Sequence, residues 1–223
     1  MQMETRIKKS KPLLISLLFF MLSCSSGIQG LKEPTSNKTM LVVGRVIVED
    51  KSYSDRHAVY KSGIDVAVVG KTKSGKEVGL WTTTDENGYF CVSNVPTGEY
   101  ALKGVRLSIG RGDLVIIENR LSSSSDPYLL THKTELIFNG DYFPFAPVGR
   151  IQNLQHTIFT LDYSNRSVKQ VRCLTTNKLV DIKLFNGEVL NAGPVEEYFI
   201  QKYPESAWKQ ALEKSAEIVR LRR

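Results

Sequence analysis

Motifs that carry chemistry are missing from this chain. It contains no H-E-x-x-H, no C-x-x-C, no G-x-S-x-G and no glycine loop of the kind that cradles phosphate. Its three histidines, His57, His132 and His156, lie far apart, and none has a second histidine at metal-ligand spacing. Nothing nominates a catalytic centre, so the expectation is a protein that is not an enzyme and needs no metal or cofactor. No block of five like charges appears either, so a formal charge of +7 carries no nucleic-acid signature. The longest apolar run, "LLISLLFFML" at 13–22, is far short of the roughly 20 residues that span a bilayer.

That short run has a context. Arg6, Lys8, Lys9 and Lys11 precede it and Ser23-Cys24-Ser25-Ser26 follows, which is the layout of a secretory signal peptide over 1–23. "Met21-Leu22-Ser23-Cys24" resembles the lipobox of bacterial lipoproteins, with Met where Leu is commoner. The resemblance implies a diacylglycerol on the Cys24 thiol, cleavage before it, and acylation of the new amino group. Several acyl chains on one residue suffice for stable attachment to a membrane. Ser25 is not the Asp that retains some lipoproteins at the inner membrane, which points to the outer membrane of a bacterial cell envelope. Removal of 1–23 takes four basic residues and Glu4, leaving a net charge of +4. Residues 24–39, which bear Ser, Gly and one Pro and lack periodicity, read as a flexible tether. Of three cysteines, Cys91 and Cys173 then remain, either as a disulfide or as two small buried residues in apolar runs.

From Met40 the pattern is β. "LVVGRVIVE" (41–49), "GIDVAVVG" (63–70), "VGLWTTT" (78–84), "YFCVS" (89–93) and "EYALKGVRL" (99–107) follow at short intervals, and Ile64, Val66 and Val68 share one face. No helical period separates them, which predicts an antiparallel sandwich. "TDENG" looks at first like a metal loop. With Gly88 as sixth residue of an EF-type loop, however, Thr83 falls first and Asn94 twelfth, and neither is the required carboxylate. Asn87-Gly88 is better read as a tight hairpin turn, and Val95-Pro96-Thr97-Gly98 as a type I turn. Arg111-Gly112-Asp113 is a three-residue match to an adhesion motif and arises easily by chance.

These residues together resemble the carboxypeptidase regulatory-like domain, a transthyretin- or prealbumin-like sandwich. Gly44–Val46, Gly63–Val66, Thr84–Phe90 and Pro96–Leu102 match its pattern in order, over about residues 41–107. The resemblance implies a non-catalytic module of secreted and surface proteins, outer-membrane receptors included. Related Cna-B-type domains form Lys–Asn isopeptide bonds, but the first strand here carries Arg45 and no Lys, so that bond is not carried over. The insert "DKSYSDRHAVYKS" (50–62) also departs from the compact pattern.

The sandwich is expected over 40–120, followed by an additional β region over 121–190, some of whose strands are candidates to complete it. Candidate strands after Leu107 are "DLVIIENRL" (113–121), "YLLTHKTELIFN", "GRIQNLQHTIFTLD" and "SVKQVRCLTT". Tyr142, Phe143 and Phe145, in the loop at 139–149, are either a lid on the core or a contact surface. Residues 191–223 form the helical end. Pro194 starts a first helix with Glu196 and Glu197 in its first turn, Pro204 breaks it, and a second helix runs from about Glu205. Trp208, Ala211, Leu212, Ser215, Ile218 and Val219 line one face of the second helix, packed on the sandwich or presented to a partner. The functional expectation is a lipid-anchored module that binds another envelope protein, with Trp208 and Leu212 as candidate contacts. The alternative is a carbohydrate-binding lipoprotein using Tyr142, Phe143 and Trp81.

Overall fold

The computed structural model describes residues 30–51, 57–109, 113–119, 133–138, 146–164, 167–176, 181–190 and 193–221. The chain is mainly β, with two C-terminal helices. Strand β1 (Thr39–Lys51) is the axis of the first sheet. On one side it pairs in parallel with β9 (Ile151–Ser164), which pairs in turn with β10 (Ser167–Thr176). On the other side its first half meets β5 (Tyr89–Pro96) and its second half meets β2 (His57–Tyr60), both antiparallel. The second sheet runs β4 (Glu77–Thr83), β3 (Asp65–Thr72), β6 (Gly98–Ile109), β7 (Asp113–Asn119) and β8 (Lys133–Phe138). It is antiparallel except at β7–β8. Thus β8 to β10, from the later part of the chain, extend the same two sheets.

Between the sheets lies one core. Met40, Val42, Val46 and Val48 of β1, with Phe90, Val92, Phe159 and Leu161, face Ile64, Val66, Val68, Tyr100, Val105 and Ile117 of the second sheet. Ile64, Val66 and Val68 share that face as the sequence predicts. β1 is buried on both faces, which is why apolar residues fill both of them at Met40–Val43 and Val46–Val48 rather than alternating, with Arg45 between the two runs. Its other face is covered in two places. Helices α1 (Val195–Lys202) and α2 (Lys209–Leu221) bury Val195, Phe199, Trp208 and Leu212 against Leu41, Val43, Cys91 and Ile151. A small hairpin, β11 (Ile182–Lys183) and β12 (Val189–Leu190), lays Leu184 and Leu190 on Ile47 and Ile158. Each such large side chain contributes about 1.5–3 kcal/mol on burial.

Three local expectations need correction. Asn87-Gly88 does not close a hairpin, because β4 belongs to the second sheet and β5 to the first. The turn is instead an arch between layers. Gly88 alone takes the left-handed conformation (φ +85°), its amide donates to the Asp85 carbonyl (3.0 Å), and the Asp85 carboxylate accepts from the amides of Asn87 and Tyr89 (3.0 Å each). Pro96–Gly98 carries the chain back to the second sheet. There the Gly98 amide points at Met40 Sδ (3.3 Å), and a Cβ on Gly98 would sit 2.4 Å from the Lys71 carbonyl oxygen. The second correction is the tether, whose residues 30–38 are docked. Lys32 and Thr35 donate backbone amides to Ser93 Oγ (3.1 Å) and Asn94 Oδ1 (2.7 Å), Asn94 Nδ2 donates to the Glu33 carbonyl (2.9 Å), and Leu31 packs into the helix cluster. Third, α2 begins at Lys209 rather than Glu205, because Pro204–Trp208 form turns with Ser206 Oγ accepting from the Trp208 amide (3.2 Å).

Candidate binding surfaces

Trp208 and Leu212 are not contacts for a partner. Both are 0% exposed. The Trp208 indole donates to the Lys32 carbonyl (2.9 Å), the Arg150 guanidinium lies 4.5 Å over its ring, and Trp208, Ala211 and Leu212 of the stripe pack inside the molecule while Ile218 and Val219 are half-buried. The helix period revealed an apolar face; the first sheet has an apolar face of its own that needs covering, and the two satisfy each other. Cys91 and Cys173 are both reduced thiols, so the disulfide is not made. Cys91 points into the helix cluster and Cys173 toward the sandwich core, on opposite faces of one sheet with β1 and β9 between them. Burial raises their pKa values to about 12 and about 11, which suppresses thiolate chemistry. Cys24, Tyr142 and Phe143 lie outside the described residues.

One polar cluster has the composition of an active site. Asp85, at the arch, accepts hydrogen bonds from the Tyr198 hydroxyl and from Lys202 Nζ (2.9 Å), and Lys202 also donates to Tyr198 Oη (2.7 Å). Tyr198 stacks on Tyr89 at 3.8 Å between ring centres, and Arg45 covers the other side of Tyr89 at 4.6 Å while its Nε donates to the Asn87 carbonyl (2.9 Å). Burial disfavours the Lys202 ammonium, but its bonds to Tyr198 and Asp85 outweigh this and raise its pKa. Burial, reinforced by the Asp85 carboxylate, raises that of Tyr198. Every group named here is turned toward another protein group. The cluster pins α1 to the arch, and it gathers residues from positions 45 to 202 that no spacing rule connects.

Two further buried polar groups lie behind it. A bulge at Gln155 (φ +63°) shifts the parity of β9, so Asn153 and His156 both face the helices. Glu196, 0% exposed, accepts from Asn153 Nδ2 (2.7 Å) and Ser215 Oγ (2.6 Å), and burial raises its pKa. His156 Nε2 meets the Gly193 carbonyl at 2.8 Å, and burial lowers its pKa to about 4, so the ring is neutral and donates. These groups hold the helix layer in register.

The exposed surface offers different chemistry on the two sides. Among the described residues the large exposed apolar side chains are Trp81, Leu174, Phe185, Val189 and Leu221, the last at the end of α2. Leu174, Phe185 and Val189, between 42% and 56% exposed, all belong to the side of the first sheet that carries the hairpin. Leu174 is the β10 neighbour of Ile158, on which the hairpin packs, while Phe185 and Val189 follow and precede its buried Leu184 and Leu190. On the far side of the molecule, Trp81 stands 58% exposed on β4. Its cross-strand neighbour is Ala67, followed by Gly104, so the floor beside it is small and flat. Arg106 lies 5.4 Å from its ring and donates from Nε and Nη2 to Asp65 Oδ2 (3.0 and 2.7 Å), and Asp65 also accepts from Thr83 Oγ1 (3.2 Å). A shallow groove between α1 and α2, lined by Glu197, Ile200, Glu213 and Arg220, is crossed by the Arg220–Glu197 ion pair.

Among the described residues no group of three His, Cys, Asp or Glu side chains is placed to hold a metal ion, and no helix is long and apolar enough to cross a membrane. No family model, no curated protein and no solved structure matches this chain.

Proposed function

We propose that this protein is a lipid-anchored, non-catalytic module of a bacterial cell envelope, held by Cys24 and docking another envelope protein through the hairpin side of its first sheet. The observation that carries the docking surface is the gathering of Leu174, Phe185 and Val189 around one small hairpin. Solvent-facing apolar residues scattered singly need no explanation, but three on one side of one sheet favour a protein partner, even with Lys51 Nζ seated 3.6 Å over the Phe185 ring. The carboxypeptidase regulatory-like resemblance belongs to this reading. Its turn and core positions here do the work such a sandwich requires: Gly88 and Gly98 at the two arches, Phe90 and Tyr100 in the core.

A second reading, carbohydrate binding, is favoured by Trp81. An exposed indole beside a flat floor, with Asp65, Arg106 and Thr83 as neighbouring polar groups, suits stacking and hydrogen bonding to a sugar ring. Cross-linking in intact cells followed by mass spectrometry separates the two. The protein reading expects one reproducible protein adduct that the double change Leu174→Asp, Val189→Asp removes and Trp81→Ala leaves in place. Attached glycan without a discrete protein, lost on Trp81→Ala, would establish the carbohydrate reading instead.

A further inference from the structure

Three lysines from two distant parts of the sequence are brought to one end of the sandwich. Thr97 links them: its Oγ1 donates to the Lys38 carbonyl (2.7 Å), and its own carbonyl accepts the Lys73 amide (3.1 Å). Lys76 closes the β3–β4 turn, where the Thr72 amide donates to the Lys76 carbonyl (2.9 Å) and the Lys76 amide to Thr72 Oγ1 (3.1 Å). Lys38, Lys73 and Lys76 are all exposed. Lys71, beside them, is flanked across the strands by Glu77 and Glu99 and so is locally balanced. The ion pairs Lys61–Glu188, Arg106–Asp65, Lys202–Asp85 and Arg220–Glu197 involve none of the three.

The chain enters the fold beside this same end. Residues 30–36 descend along β5 and turn at 36–38 into β1, and Gly30 lies close to Tyr203. Because 30–38 are docked, only residues 25–29 separate Cys24 from Gly30. Six chain steps reach at most about 20 Å; the two residues from Gly30 to Lys32, which meets Ser93, take up to about 7 Å, and from the level of Ser93 to Pro96 at the end of β5 is about 10 Å more. A bilayer that holds Cys24 therefore lies within reach of the lysine-bearing end.

We propose that this end, through Lys38, Lys73 and Lys76, rests against anionic lipid headgroups of the bilayer that anchors Cys24, so that the sandwich stands on the membrane in a fixed orientation. The proposal rests on the lipid-anchor reading above. In that orientation the hairpin at Asn186, near the opposite end of β1 where the Phe185 amide meets Glu49 (2.8 Å), points away from the lipid.

The test uses the cell-made protein reconstituted in phosphatidylcholine vesicles with or without phosphatidylglycerol. A fluorophore is placed at Ser74→Cys, in the β3–β4 turn, or at Asn186→Cys, and lipids with a quencher on the headgroup report proximity. Cys91 is a buried and Cys173 a half-buried thiol, both with raised pKa values, and they label more slowly than an exposed cysteine. Quenching is expected at Ser74→Cys and not at Asn186→Cys, dependent on phosphatidylglycerol and weakened by salt. Reversing all three lysines to Glu should lower the apposed population by about a hundredfold or more on the usual scale for basic residues at an anionic surface. A protein that floats with the vesicles but shows equal quenching at the two positions, or no dependence on phosphatidylglycerol, overturns this inference alone. A protein that does not float overturns the anchor, and the inference with it.

Discussion

The two sheets share one core and differ in what lies on their other faces. The first carries helices, a hairpin and the docked N-terminal segment, and its central strand is buried on both faces between its end residues. The second has no helix or hairpin packed on its outer face among the described residues, and its edge strand β4 alternates, with Trp81 in solvent. The lesson is that a strand's pattern reports how many of its faces are covered. An apolar helix face nearby reports what does the covering before it reports a partner.

If the first sheet depends on its cladding, Trp208→Ala should have the largest effect. Loss of a fully buried indole, its bond to Lys32 and its packing should cost about 3–5 kcal/mol in denaturant unfolding. Acid should come next, through His156 behind the helices. Its pKa is about 4 in the folded chain and near 6.5 unfolded, so the unfolded chain binds the extra proton between those values. The stability this group contributes is complete above pH 6.5 and is lost as pH falls toward 4, by about 3 kcal/mol at most. His156→Gln should flatten that part of the stability–pH curve. Glu196 acts with the opposite sign: its raised pKa means that stability declines as pH rises from 4.5 through its folded value, a decline that Glu196→Gln should abolish. Asp85→Asn weakens the pin between arch and α1 and should cost about 1–3 kcal/mol, with faster hydrogen exchange in α1 than in β3. Trp81→Ser, on the open sheet, should change stability by less than about 0.5 kcal/mol. A larger loss there would mean that the second sheet is covered after all.

Much of the fold was legible in the sequence because strand patterning is local. The long strands, the shared face of Ile64, Val66 and Val68, and the Pro194 and Pro204 helix limits follow from neighbours in the chain. The β11–β12 hairpin was missed although Asn186-Gly187 marks its turn, with Gly187 at φ +85°, because its strands are only two residues long. β2, inside the apparent insert, was missed for the same reason of length. The docking of residues 30–38 depends on Asn94, Ser93 and Trp208, far along the chain, so composition alone read it as tether. Periodicity found the apolar face of α2 but is silent on what covers it. The Asp85–Tyr198–Lys202 cluster and the lysine end are assembled by topology and left no mark in spacing.

The central claim is that the hairpin side of the first sheet, and not the open face of the second, meets a protein partner. It is tested most directly by placing a photo-activated cross-linking residue at Val189 in one strain and at Trp81 in another, and irradiating living cells. The account predicts one discrete protein adduct from position 189 and none from position 81. An adduct from position 81 with none from 189 would contradict it.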